Sequence, residues 1–176
     1  MRSSRAIAGS LLFLLVAPGV VAGVVPWLLT GWESEDELGD LVVVRAFGAA
    51  LLVAGIAVLL DAFARFVREG RGTPAPVAPT ERLVVGGLYR HVRNPMYLAV
   101  EAAILGQALL LGRSVLLAYA GAIGIAFWAF VRLYEEPTLA RRYGDEYEAY
   151  RRAVPAWWPR LRPWRPDPDV RDWTPQ

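Results

Sequence analysis

Four apolar runs limit what this chain can fold into more than any other feature of its sequence. A helix needs about 20 apolar residues to cross roughly 30 Å of hydrocarbon. Four runs come near that length: Ile7–Leu29, Leu41–Phe66, Tyr97–Leu111 and Val115–Leu133. The third is short, and Gly112-Arg113-Ser114 leaves little more than a tight turn before the fourth. The pattern predicts an all-α integral membrane protein with about four transmembrane helices, of which the last two form a tight hairpin.

The charged residues between these runs are sharply polarised. The first loop carries acidic residues and no basic one: Glu33, Glu35, Asp36, Glu37 and Asp40. The second loop is rich in arginine: Arg65, Arg68, Arg71, Arg82, Arg90 and Arg93. Because basic loops favour the cytoplasmic side, both termini and the second loop are expected in the cytoplasm, in a protein of the cell (inner) membrane. A signal peptide ending at Val20-Val21-Ala22 is an alternative, but the apolar run continues to Leu29, which favours a retained helix.

An amphipathic helix is predicted after the last apolar run. From Thr138 to Val154, apolar and aromatic residues recur at helical spacing between charged ones. This helix is expected on the cytoplasmic face of the bundle or bilayer, followed by an irregular tail rich in Trp and Pro. The chain accordingly divides into two N-terminal transmembrane helices (1–66), a core of loop, hairpin and amphipathic helix (67–159), and the tail (160–176).

Two short polar signatures bracket the predicted hairpin: Asn94-Pro95-Met96-Tyr97 before it and Tyr134-Glu135-Glu136-Pro137 after it. At about 1.5 Å per residue, the two antiparallel helices rise by roughly 23 and 31 Å. Glu135 is therefore expected within about two turns of Tyr97 along the membrane normal. Pro95 suits the first turn of the third helix, and Pro137 is expected to restart the chain as the first turn of the amphipathic helix. The sequence thus predicts one pocket between the two signatures.

The adjacent carboxylates of Glu135 and Glu136 can be an ordinary solvated pair or part of a ligand site. They lie on the arginine-rich side, with Arg132 one turn earlier, and this favours a ligand site. Such a pair can hydrogen-bond a ribose diol and also attract a cationic group, and S-adenosylmethionine has both. Glu101 is a further candidate because ionisable groups at membrane depth are often functional, although a structurally satisfied carboxyl is an equal alternative.

Several other kinds of site lack support. The chain has no cysteine and a single histidine, His91, so thiolate and multi-histidine metal sites are excluded and no metal is expected. Neither a G-x-G-x-x-G sequence after a strand nor a phosphate-binding P-loop occurs. The basic residues flank membrane spans and form no nucleic-acid-binding stripe, so no nucleic-acid partner is expected.

The same motifs resemble a known superfamily. From about Glu81 to Pro159 the chain is similar to the membrane-embedded methyltransferases, which include isoprenylcysteine carboxyl methyltransferase and the phospholipid N-methyltransferases. The matching segments are Gly87-Leu88-Tyr89-Arg90-His91-Val92-Arg93-Asn94-Pro95-Met96-Tyr97, Arg132 with Glu135-Glu136, and Tyr143 to Pro155. The resemblance implies S-adenosylmethionine bound on the cytoplasmic side, with a lipid-like or prenylated acceptor reaching the methyl group from the bilayer.

The resemblance also implies roles for individual residues. The cofactor would be bound by the segment Glu81 to Val84, including Leu83 and Val84, and by Tyr89, His91, Asn94, Pro95, Met96, Tyr97, Glu135 and Glu136. Glu136, Arg132 and Arg151 would be catalytic, with the two arginines on the acceptor side.

The acceptor stays open at the level of sequence. The segment from Tyr143 to Pro155 resembles the isoprenylcysteine enzymes, which favours carboxyl O-methylation, whereas the two signatures resemble the phospholipid N-methyltransferases. A carboxylate acceptor needs mainly desolvation and a guiding arginine. An amine needs a base, for which Glu101, Glu136 and His91 are the candidates. A four-helix transporter that uses Glu101 as its coupling carboxylate, and a structural membrane subunit, are alternatives from other classes.

Overall fold

The computed structural model describes residues 16–38, 41–69 and 83–165. Within these ranges the chain is helical and contains no strand, which confirms the predicted all-α class. The helices are α1 (Val16–Thr30), α2 (Val42–Glu69), α3 (Pro95–Leu111), α4 (Ser114–Phe130) and α5 (Glu136–Ala153). A short 3₁₀ turn spans Gly87–Arg90. The predicted start of the first span, the segment around Glu81 and the end of the tail lie outside the described residues.

Two of the helices are long and apolar enough to cross a membrane. One is Val42–Arg65 of α2, in which an 18-residue window has a mean hydropathy of 2.4, and the other is the helical stretch Ser114–Ala153, in which such a window has a value of 2.0. Only 11% of the apolar window of α2 is buried, whereas the core helix of a soluble protein is mostly buried. In the part of the chain that was described, α1 and α3 are shorter apolar helices. Two of the four predicted spans therefore reach the required length, and the chain has the character of an integral membrane protein.

Glycines allow α2 and α3 to approach each other closely. A Cβ atom on Gly55 would lie 2.7 Å from the carbonyl oxygen of Ala99, and one on Gly106 would lie 2.6 Å from the amide nitrogen of Leu52. No real Cβ tolerates such contacts, so these positions require glycine. Close backbone packing at small residues is typical of membrane helices, where lipid gives no hydrophobic drive for helices to associate. It fixes α2 beside the start of α3, where the first signature lies.

The turn between α3 and α4 is as tight as the sequence predicts. Gly112 ends α3 in the left-handed conformation, with φ of 68°. The first loop is bound to this turn: Glu37 Oε2 accepts a hydrogen bond from the Ser114 amide at 2.9 Å, and Arg113 forms an ion pair with Glu35. The hairpin is confirmed, and its turn is held at the end of the bundle away from the signatures.

The chain does not restart at Pro137 as expected. Instead, α4 continues through a π-helical turn, Val131–Glu135, directly into α5. A proline inside a helix clashes with the carbonyl four residues earlier, and a π turn widens the helix at that point. The π turn therefore accommodates Pro137, which lies in the first turn of α5, without a break in the helix. A kink comes later, at Gly144, whose φ is 50° and ψ is −126°.

The predicted amphipathic helix, Thr138 to Val154, corresponds to the helix α5, whose bounds differ by one or two residues. Its buried face is formed by Tyr147 and Tyr150, which cluster with Val154. Leu83, Val85 and Trp164 pack against this cluster. Thus α5 covers the segment that leads into the first signature.

Residues 154–165 have no regular structure, in agreement with the predicted irregular tail, but they are firmly attached. The Arg93 amide donates to the Pro155 carbonyl, the Arg160 amide to His91, and the Trp164 amide to Arg90, each at 2.9 Å. This stretch, the tail strap (residues 154–165), lies along residues 90–93 and holds them in place.

Candidate functional site

The two polar signatures meet, as the hairpin geometry predicts. The Tyr97 hydroxyl donates a hydrogen bond to Glu135 Oε2 at 2.8 Å. The Tyr97 ring also packs against Phe127 of α4, with 4.8 Å between ring centroids. The first turn of α3 is thereby joined to the π turn that ends α4.

A cavity of about 140 Å³ opens beside this contact. Six of the predicted cofactor-binding residues line it: Tyr89, Asn94, Pro95, Met96, Tyr97 and Glu135. The opposite wall comes from Pro18 and Val21 of α1 and from Leu59 of α2. Pockets that enclose a small-molecule ligand usually measure about 300–1,000 Å³, so a nucleoside-sized ligand would project from the mouth of this cavity.

Asn94 presents an unsatisfied donor in the cavity wall. The residue is 7% exposed, and its Nδ2 atom is buried with no hydrogen-bond partner among the described residues. It immediately precedes α3 but makes no side-chain cap there. A buried amide without a partner costs free energy, and a ligand acceptor in the cavity would remove that cost.

Glu136, the second carboxylate of the pair, does not line the cavity. Its Oε1 accepts a hydrogen bond from Arg93 Nη1 at 2.9 Å, and its Oε2 accepts one from Arg132 Nη1 at 2.8 Å. The same Arg93 nitrogen donates to the Tyr147 hydroxyl at 3.0 Å, and Arg93 Nε donates to the Val154 carbonyl. Glu136 thus connects α5, the π turn and the end of the second loop.

The two adjacent carboxyls have pKa values shifted in opposite directions. Both lie past the apolar part of α4. Burial raises the pKa of Glu135, and the charge of Glu136 raises it further against the opposing hydrogen bond from Tyr97. For Glu136, burial acts in the same direction but is outweighed by the hydrogen bonds and charges of Arg132 and Arg93, which lower its pKa. Glu135 is therefore the carboxyl with the greater tendency to hold a proton, and Glu136 is the one that favours the charged form.

The remaining predicted residues lie around the cavity rather than in its wall. Val84 is buried in a cluster with Ala62 and Tyr89, and Leu83 packs against α5. His91 Nδ1 bonds the Arg160 carbonyl at 2.8 Å. Arg132 has a side chain that is 58% exposed, and Arg151 is exposed and pairs with Glu148 at 3.3 Å. Leu83, Val84 and His91 thus lie behind the cavity wall, while Arg132 contacts Glu136, which does not line the cavity.

Some residues of the site were missed by sequence reasoning. Arg93 lines the cavity and neutralises Glu136, yet in the sequence it is one arginine in a basic loop. Its position directly before Asn94-Pro95 was the available signal. The sequence contains no such signal for Pro18 and Val21, because apolar residues of a membrane helix look alike whether they face lipid, a neighbouring helix or a cavity.

No group of three or more His, Asp or Glu residues that could hold a metal occurs within residues 16–38, 41–69 and 83–165.

Comparison with known protein families gives a match. The family model described as phospholipid methyltransferase matches residues 43–146, more than half of the chain. The matched region contains every residue that lines the cavity except those of α1. No curated protein and no solved structure matches.

Proposed function

Because the chain belongs to the phospholipid methyltransferase family, within the superfamily of membrane methyltransferases, we propose that it transfers a methyl group from S-adenosylmethionine to a lipid-like acceptor. The reaction would take place at the cavity between α1, α2 and the hairpin.

The strongest support is the convergence of both signatures on one cavity that contains an unsatisfied amide. Asn94 Nδ2 has no partner among the described residues, and Glu135 lies in the same wall. A ligand with a hydrogen-bond acceptor and a hydroxyl or cationic group would satisfy both. S-adenosylmethionine has these groups, so the residues present fit the methyl donor that the family implies.

Bound S-adenosylmethionine would supply a methyl group on a positively charged sulfonium. Displacement of that kind needs no protein nucleophile, and catalysis consists mainly of positioning and of excluding water. Pro18, Val21 and Leu59 provide the apolar wall that excludes water. Asn94 Nδ2 and the Glu135 carboxylate would orient the donor, while Tyr97 holds Glu135 through Oε2.

The geometry favours an amine acceptor over a carboxylate. An amine must lose a proton, and Glu135 is a carboxyl in the cavity wall whose pKa is raised by burial. Its Oε1 is not the oxygen that Tyr97 bonds, so Oε1 would accept that proton. A carboxylate acceptor would need a guiding arginine. Arg93 is the arginine in the wall, and Glu136 already neutralises it.

We also place the cavity on the cytoplasmic side of the cell membrane. The end of the bundle that carries the cavity has Arg90, Arg93 and Arg132, whereas the first loop at the other end is acidic. This is the distribution expected from the positive-inside rule.

Binding of S-adenosylmethionine to the purified full chain, measured by calorimetry, tests the donor. We expect saturable binding by the wild type and at least a tenfold weaker affinity for Glu135→Gln. Glu148→Gln, which alters an exposed carboxyl on α5, is the matched control and should bind like the wild type. Absence of saturable binding by the wild type would rule out the proposed donor.

A second assay tests the acceptor. Protein incubated with methyl-labelled donor is given either phosphatidylethanolamine or a prenylcysteine analogue in the same detergent. We expect label in the amine lipid. If only the carboxyl of the prenylcysteine analogue is labelled, the protein is a carboxyl O-methyltransferase, and Glu135 Oε1 does not act as a base.

A further inference from the structure

A second depression lies on the other side of α2 from the cavity. It is an open groove of about 520 Å³ between α2, the 3₁₀ turn and the tail strap, with Ala57, Asp61, Arg65, Arg90 and His91 among its lining residues. On a helix, residues two positions apart point about 200° apart. Leu59 lines the cavity and Ala57 and Asp61 line the groove, so α2 separates the two sites.

The groove changes character along its length. At one end it is bordered by the lipid-facing part of α2, where Val53 is 67% exposed and Leu60 is 54% exposed. Ala57 and Val58 form its apolar wall, and they belong to the segment that is apolar enough to span a membrane. The apolar segment ends at Arg65, and this other end of the groove is also lined by Arg90 and His91. The groove therefore runs from the depth of acyl chains to the depth of lipid headgroups.

The polar end is arranged for a phosphodiester. Arg65 Nε pairs with Asp61 at 2.8 Å. Arg90 Nε donates to the Trp164 carbonyl at 2.6 Å, which fixes the guanidinium, and its two terminal nitrogens make no hydrogen bond within the described ranges. Among the described residues that line the groove, two are arginines and one is an aspartate. Arginine binds phosphate oxygens well because its planar group offers paired donors.

His91 and Gly87 complete this end. Since a carbonyl can only accept, His91 Nδ1 carries the proton that bonds the Arg160 carbonyl, and in the neutral ring Nε2 is an acceptor. Gly87 has φ of 51°, and a Cβ there would overlap the Arg65 guanidinium. The glycine thus allows Arg65 to lie against the backbone of the 3₁₀ turn.

We propose that this groove binds one anionic phospholipid, with an acyl chain along Ala57 and Val58 and the phosphodiester on Arg90 and Arg65. The occupant is distinct from the methyl acceptor, because the groove does not share a wall residue with the cavity. Through Arg90 and His91 the bound lipid contacts the segment that leads into the first signature.

Native mass spectrometry of the full chain in detergent tests the site, with short-chain phosphatidylglycerol as probe. We expect one lipid bound, with affinity lowered at least tenfold by Ala57→Trp, which fills the apolar wall, and by Arg90→Gln. Val53→Trp places the same bulk on an exposed position one turn away that does not line the groove, and should bind within twofold of the wild type. Wild-type affinity in both Ala57→Trp and Arg90→Gln would overturn the proposal.

Two further probes identify what the groove recognises. Diacylglycerol with the same chains lacks the phosphodiester and should bind at least tenfold more weakly; equal binding would overturn the phosphate site. Inorganic phosphate that binds with the same dependence on Arg90, while phosphatidylglycerol does not bind, would assign the groove to a free anion instead. S-adenosylmethionine binding should be unchanged in Ala57→Trp, so failure of this site and failure of the proposed methyl transfer are distinguishable.

Discussion

At the scale of single residues, a substitution of Asn94 tests most directly whether the cavity binds the methyl donor. Replacing it by leucine keeps the approximate shape and removes a buried donor that has no partner. Removal of an unsatisfied polar group is neutral or stabilising, so the melting temperature without ligand should stay the same or rise. The affinity for S-adenosylmethionine should fall about tenfold, the equivalent of ~1.4 kcal/mol. A fall in melting temperature together with unchanged affinity would show that Asn94 is structural.

The two arginines that contact Glu136 should differ greatly in their contribution to stability. The Arg93 side chain is 11% exposed and that of Arg132 is 58% exposed. Breaking a buried ion pair costs about 3–5 kcal/mol, whereas exposed pairs contribute about 0–1 kcal/mol. Arg93→Gln should therefore lower the free energy of unfolding by about 3 kcal/mol and Arg132→Gln by less than ~1 kcal/mol. Equal losses in denaturant titrations would contradict this difference in burial.

Acid titration gives an independent check on Glu136. Its pKa is lowered from the ordinary 4.5 in the folded state, so its stabilisation is complete above that pH and is lost as pH falls below it. The stability advantage of the wild type over Glu136→Gln should be constant near neutral pH and shrink below pH 4.5. An advantage that grows on acidification would have the wrong sign for an ion-paired carboxylate.

Replacing Glu101 distinguishes the methyltransferase hypothesis from the transporter hypothesis. Its Oε1 is buried without a hydrogen-bond partner among the described residues, and it faces Gly124 of α4 outside the cavity wall. Because a carboxylate is costly at membrane depth, Glu101→Gln should raise the melting temperature and leave methyl transfer within about twofold. Loss of methyl transfer in this variant, with S-adenosylmethionine binding intact, would make Glu101 part of the catalytic machinery.

At the scale of elements, the tail strap begins about 60 residues after the first signature and supports the site without lining the cavity. It bonds the backbone of Arg90, His91 and Arg93, which flank Tyr89 and Asn94 in the cavity wall. A chain ending after residue 159 loses the bonds from Arg160 and Trp164, and we expect it to lose S-adenosylmethionine affinity by at least tenfold. A chain ending after residue 165 keeps them and should bind normally. Both should fractionate with membranes, since α1 to α4 are unchanged.

The helices were easier to predict than the way they combine. The hairpin and α5 follow from hydrophobic period and from prolines at helix starts, which are local signals. The π turn at Val131–Glu135 was not foreseen, because Pro137 reads as a break until the widened turn before it is known. The contribution of α1 to the cavity depends on which helices pack together, and the α1 residues that line the cavity are all apolar, so the sequence does not reveal it.

Within the candidate site, the two signatures lie together as predicted, but neighbouring residues of one signature occupy different positions relative to the cavity. Tyr97 and Glu135 are in contact as expected. Glu135 and Glu136 were both expected to bind the cofactor, but only Glu135 lines the cavity, and Glu136 is bound by Arg93 and Arg132. One residue along a helix rotates a side chain by about 100°, and only packing decides which of two neighbours faces the ligand.

At the scale of the whole molecule, the proposed orientation can be tested directly because the chain has no cysteine. Single cysteines at the exposed positions Glu33→Cys and Leu161→Cys can be labelled in intact cells with a membrane-impermeant maleimide. We expect labelling at residue 33 from outside and at residue 161 only after lysis. The reverse pattern would put the cavity on the outer side, away from a cytoplasmic methyl donor.

The tail strap also has a consequence for the order in which the protein is made. The ribosome releases residues 90 and 91 about 70 residues before the segment that must lie against them, because Arg160 pairs with His91 and Trp164 with Arg90. The apolar helices can enter the bilayer during that interval. Cofactor affinity would then arise last, after insertion, so an incompletely synthesised chain could occupy the membrane without consuming the cell's methyl donor.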